Sequence, residues 1–204
     1  MDEVVEERRG LAPTRRRFLQ GAGIAGLAAS ALPMASLSGP AFAQEAGDAA
    51  ITAFAESIEL AIVEAYGQID VGLLTPQLAA TVAAFADHHR EHATALGETA
   101  GNAATGEANR ELLEDLDGRL ARARDEPAVL ELAFSLESSA AATYLFALGA
   151  LEARGALELA ASVLPVESEH AIVFGTALER PLAELVPSFV NQDAAFKPDS
   201  FPFA

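Results

Sequence analysis

The chain has four histidines, and three of them, His88, His89 and His92, fall in one stretch, HHREHA (88–93). The fourth, His170, lies in ESEHA (167–171), which repeats the Glu-His-Ala ending. A shift of 78 residues lays Glu59 on Glu137, Tyr66 on Tyr144, and Glu91-His92-Ala93 on Glu169-His170-Ala171. Each half therefore carries a Glu, a Tyr seven residues on, and a His 33 residues after the Glu. Both tyrosines of the protein obey this one offset, so the pattern reads as an internal repeat of a site.

Helical geometry sorts these groups by face. Glu59 lies at the edge of an apolar stripe (Ile51, Phe54, Ala55, Ile58, Ile62, Ile69), with Tyr66 two turns along the same side. Glu137 and Tyr144 stand alike on their own helix. His89 is in the middle of the stripe Leu78, Val82, Phe85, His89, Ala93 and Leu96; His92 is beside it and His88 is turned well away. Glu167 and His170 share a stripe, whereas Glu56, Glu64, Glu91 and Glu169 are expected to be solvated. Six polar groups, Glu59, His89, His92, Glu137, Glu167 and His170, thus face the core. Burying carboxylates unpaired costs several kcal/mol each, and three carboxylates with three imidazoles converge best on a metal ion. Tyr66 and Tyr144 read as core side chains needing a hydroxyl partner, or as contacts to a ligand carboxylate.

The elements that must position them are long helices over 48–69, 76–98, 126–153 and 156–179. Thr75-Pro76 and Asp125-Glu126-Pro127 supply cap and first-turn signals. A loop (99–107) and a short amphipathic helix (108–123; Leu112, Leu113, Leu116, Leu120) make a long passage between two closely connected pairs. Pro165 is expected to kink the last long helix. With no strand signal, this predicts an all-α four-helix bundle over 44–180 and an extended C-terminal tail over 181–204.

Residues 1–43 read as an export signal. TRRRFLQ (14–20) precedes an apolar Gly/Ala-rich run and a small-x-small cleavage site ending at Ala43. Arg15 and Arg16, with Phe18 and Leu19, resemble a twin-arginine motif, whose translocase would carry the chain folded out of the cytoplasm. Cleavage after Ala43 leaves 8 basic against 26 acidic residues, a net charge of −18, with Lys197 the sole lysine. That argues against nucleic-acid partners and against anionic membrane surfaces. No other run is long enough to span a bilayer. The absence of Cys excludes an Fe–S cluster and a thiol nucleophile, and no haem is evident.

These motifs resemble the ferritin-like superfamily over about 48–178. That superfamily uses Glu, Glu-x-x-His, Glu and Glu-x-x-His on four successive helices around two iron or manganese ions. Glu167-Ser168-Glu169-His170 matches Glu-x-x-His, and the Glu-to-Tyr spacing of seven is similar to bacterioferritin helices. More narrowly, the chain resembles exported twin-arginine-signal ferritin-like proteins of bacteria, whose second helix carries a similar HHxEHA stretch. One position departs: His89 stands where the superfamily has a bridging Glu. A neutral imidazole has one lone pair and cannot bridge two ions. Glu167 remains as the one bridge, so the site is asymmetric or mononuclear.

The resemblance implies an iron or manganese oxidoreductase acting on O2 or peroxide, or a ferroxidase; the donor set also accommodates zinc. The alternative is a non-catalytic exported bundle with a structural or stress-related binding role. Oligomeric state and substrate are left open by the sequence.

Overall fold

The computed structural model describes residues 47–202. The twin-arginine residues Arg15, Arg16, Phe18 and Leu19 and the cleavage site at Ala43 lie outside them.

Four long helices form the frame: α1 (Asp48–Gln68), α2 (Pro76–Ala100), α4 (Glu126–Leu148) and α5 (Arg154–Ala177). A short α3 (Arg110–Leu120) lies in the passage from α2 to α4, and a single turn, α6 (Leu182–Leu185), interrupts the tail. Among the described residues there is no strand. α1 packs chiefly on α2 and α4 on α5, while α2 also meets α5 and α1 meets α4. This is the expected all-α bundle of two helix pairs with a long crossover.

The starts of α2, α3 and α4 follow their capping residues. Thr75 accepts from the Leu78 amide with Pro76 in the first turn, and Asp125 accepts from the Ala128 amide at 3.0 Å with Pro127 in the first turn. Each such cap is worth about 1 kcal/mol. Asn109 caps α3 through Leu112 N and donates from Nδ2 to the Phe201 carbonyl at 3.0 Å, fastening the tail. α3 stays helical because Leu112 and Leu116 are fully buried, each worth roughly 1.5–3 kcal/mol.

The ends differ from the expectation. α4 stops at Leu148 rather than 153, because Gly149, Ala150 and Leu151 turn back onto carbonyls of 146 and 147. Asp48, the first residue of α1, accepts from the amides of Glu152 and Ala153, and α5 begins straight after. Gly155, which lies between the ranges 126–153 and 156–179 expected for the two helices, is therefore inside α5. α5 runs through Pro165 to Ala177. The tail, expected to be extended, carries the α6 turn and buries Phe196 against the bundle.

Two apolar clusters fill the interior. One holds Ile58, Ile62, Tyr66, Leu116, Leu136 and Phe174, and the other Ala55, Leu96, Tyr144, Ala160 and Val163. Both tyrosines turn their hydroxyls toward the same group of buried polar side chains.

Candidate metal centre

All six sequence-selected side chains meet in one place. Glu59 comes from α1, His89 and His92 from α2, Glu137 from α4, and Glu167 and His170 from α5. Glu59, His89, Glu137, Glu167 and His170 are buried, and the His92 side chain is 14 % exposed. Two overlapping sets result, Glu59/His89/His92/Glu167 and His89/Glu137/Glu167/His170. Within each set one candidate ligand atom per residue lies within 4.8 Å of every other.

His89 holds the middle. Its Nδ1 is 2.6 Å from Glu59 Oε2 and its Nε2 is 3.2 Å from Glu137 Oε1. Both nitrogens face carboxylates, so in the metal-free protein both carry hydrogen and donate. Burial pushes the His89 imidazole down, but Glu137, Glu167 and Glu59 outweigh it and hold it well above its ordinary value. The outer sides of these carboxylates are closed by the tyrosines in crossed fashion. Tyr66 of α1 donates to Glu137 of α4, and Tyr144 of α4 donates to Glu59 of α1. Burial, reinforced by the carboxylate each one faces, raises both phenols well above 10, so they remain donors. Glu59 is pushed up by burial and pulled down more strongly by His89 and His92, ending at about 2. Glu137 is likewise held well below the carboxylate range, by His89 and His170 against its burial.

Glu167 is the exception. Its Oε1 lies 2.8 Å from His92 Nδ1 and its Oε2 lies 3.7 Å from His170 Nδ1. Neither contact has hydrogen-bonding geometry, and both Glu167 oxygens and His92 Nδ1 are buried without a hydrogen-bond partner. Burial raises the Glu167 carboxyl, and Glu59 adds to that against the pull of His89. A buried carboxylate with two bare oxygens costs several kcal/mol. It shares a place with imidazole nitrogens of His92 and His170. An oxygen and nitrogen donor set of this kind fits a divalent first-row cation.

His88, expected on the far side of α2, also reaches the site. Its ring is exposed, yet its Nδ1 is 2.9 Å from His170 Nε2. Burial and the neighbouring His170 hold the His88 imidazole below its ordinary value. A projection of α2 alone could not find this contact, because it depends on how α5 lies across that face. The sequence signal was Phe85, one turn before His88, whose ring stacks on His170 at 3.7 Å between centroids. Glu56, expected to be solvated, is buried as well. It accepts from the Thr105 amide at 3.2 Å and lies against Gly97, where a Cβ would come within 2.6 Å of its Oε1. Glu64, Glu91 and Glu169 are exposed, as expected.

No curated protein and no solved structure is significantly similar to the chain. The family model described as the ferritin-like domain matches residues 41–180, which contain the whole bundle and all six converging side chains. With that match, four helices in two pairs, and buried carboxylate–histidine groups contributed by each long helix, the chain belongs to the ferritin-like domain family.

Proposed function

We propose that this protein is an exported metal-binding protein whose centre takes iron or manganese and serves an oxidoreductase reaction. The observation that carries the metal reading is Glu167, a buried carboxylate with both oxygens bare beside His92 and His170. Glu59, His89, His92 and Glu167 would hold one ion and His89, Glu137, Glu167 and His170 a second, the two sets sharing His89 and Glu167. When bound, iron or manganese supplies a +2/+3 couple and an open coordination position for O2 or peroxide.

The chain's own part is positional. Tyr66 and Tyr144 orient Glu137 and Glu59 by their hydroxyl hydrogen bonds and donate no charge of their own. The apolar clusters around the centre restrict water, so approach is from the side of the partly exposed His92. Export is supported by Arg15-Arg16, the apolar run after them and the small-x-small site that ends at Ala43, and the twin-arginine translocase is the partner this implies.

A second reading is favoured by His89. Lying between Glu59 and Glu137, it gives each of them a hydrogen bond without an ion and offsets one of their two charges, as a static, non-catalytic bundle requires. Metal content by inductively coupled plasma mass spectrometry decides between them, on chain exported by its own signal beside His92→Ala, His170→Ala and Glu167→Gln. The metal reading expects on the order of one to two iron or manganese ions per chain, lost in all three variants. Metal-free wild type, with the melting temperature of His92→Ala and His170→Ala unchanged, overturns it. Bound metal that never changes oxidation state with O2 or peroxide leaves the static binding role.

A further inference from the structure

His170 is a two-faced side chain. Its Nδ1 points inward, 3.2 Å from Glu137 Oε2, and its Nε2 points outward to His88 Nδ1 at 2.9 Å. The His170 ring is stacked on Phe85 (3.7 Å, 19°), and His88 lies nearly parallel to it (5.2 Å, 20°). An imidazole can ligate through Nδ1 only when that nitrogen has lost its hydrogen, which leaves the remaining one on Nε2. Nε2 then needs an acceptor, and His88 Nδ1 is the group within reach.

We propose that His88 is a positioning residue for the metal centre. It accepts the Nε2 hydrogen of His170, fixes the tautomer that turns the Nδ1 lone pair inward, and locks the ring against Phe85. This rests on the metal reading above and deepens it. Partners that orient a ligating histidine in this way typically govern metal affinity by about 10- to 100-fold. It also gives a reason for the histidine doublet. His89 lies inside the centre and His88 reaches the outer edge of His170, a division of labour that adjacent positions on one helix allow when the helix faces two neighbours.

The test separates hydrogen bonding from packing. His88→Phe keeps a ring on the stack and removes the acceptor; His88→Asn keeps an acceptor atom at the reach of Nδ1. The full chain is titrated with Co²⁺, following affinity and the visible d–d spectrum, and the ¹⁵N shift of His170 Nε2 is recorded on metal-free samples. The expected result is that His88→Phe binds Co²⁺ about tenfold or more weakly with an altered spectrum and a moved Nε2 shift, and that His88→Asn stays near wild type in all three. Wild-type affinity and shift in His88→Phe overturn the proposal while leaving the metal reading intact. Equal losses in both variants also overturn it, because ring packing then explains the effect. A wild-type chain that takes up no Co²⁺ overturns both.

Discussion

Among single side chains, Glu59 and Glu167 sit in the same interior with opposite outcomes. Glu59 accepts hydrogen bonds from Tyr144 and His89 and is held at about 2; Glu167 has only ion-pair contacts to His92, His170 and His89, none with hydrogen-bonding geometry, and is raised by burial. Pairing, not depth, decides which carboxylate is comfortable. The same reasoning fixes the effect of a tyrosine. Tyr66→Phe removes one donor from buried Glu137 and leaves His89 and His170 in place. It should lower metal-free stability by about 1–3 kcal/mol in urea unfolding while metal content is kept; lost metal would mean that Tyr66 does more than orient.

The pH response follows from the same groups. Glu59, depressed to about 2, contributes stability that is present above 4.5 and is lost as pH falls toward 2. His92, raised to about 9, contributes stability that is full below 6.5 and is lost as pH rises through 9; His89 and His170 act with the same sign. Raised Glu167 removes stability as pH climbs past 4.5. Metal-free protein should therefore melt highest on the acid side of neutrality and lose stability toward pH 9, whereas metal-loaded protein should not show that alkaline loss, because the ion replaces the protons. Thermal melts with and without chelator across this range check both curves; an alkaline limb unaffected by metal contradicts the assignment of these residues as its ligands.

At the level of elements, close approach is set by two glycines. Gly97 of α2 makes room for Glu56 of α1, and Gly175 of α5 makes room for the strap that follows it. A Cβ at 175 would lie 2.2 Å from Leu185 Cδ2 and 3.0 Å from the Phe134 ring. The strap is also held by Arg180, which pairs with Glu131 at 2.5 Å and lies over Phe134. Gly175→Ala should displace α6 and cost about 1–3 kcal/mol by overpacking. Limited proteolysis in 178–190, faster than in wild type with the metal centre unchanged, is the expected outcome. Cleavage at the wild-type rate would mean that Leu185 moves aside freely.

For the whole molecule, the acidic balance and the leading segment bear on where the chain works. After Ala43 the chain carries 8 basic against 26 acidic residues. Among the described residues no helix is long and apolar enough to cross a membrane. If Arg15 and Arg16 form the export pair, replacing both by Lys should leave uncleaved precursor inside the cell, measured by fractionation and intact mass. Export at the wild-type rate would exclude the twin-arginine route.

The sequence by itself determined the four long helices, their pairing, and the six polar side chains that turn inward. Those are consequences of helical periodicity, capping residues and a 78-residue repeat, all of which are local or one-dimensional. The stop of α4 at Leu148 was not legible, because Asp48, a hundred residues away in the chain, secures the turn that follows it. Only the tertiary structure decided that each tyrosine serves the glutamate of the other half, that Glu56 is buried, and that His88 reaches His170. It also decided that Glu167, of all the inward carboxylates, is left bare. A helix projection gives the direction of a side chain relative to its own axis. Which partner it meets depends on the offset and rotation of the neighbouring helix, and those are fixed by packing of the whole bundle.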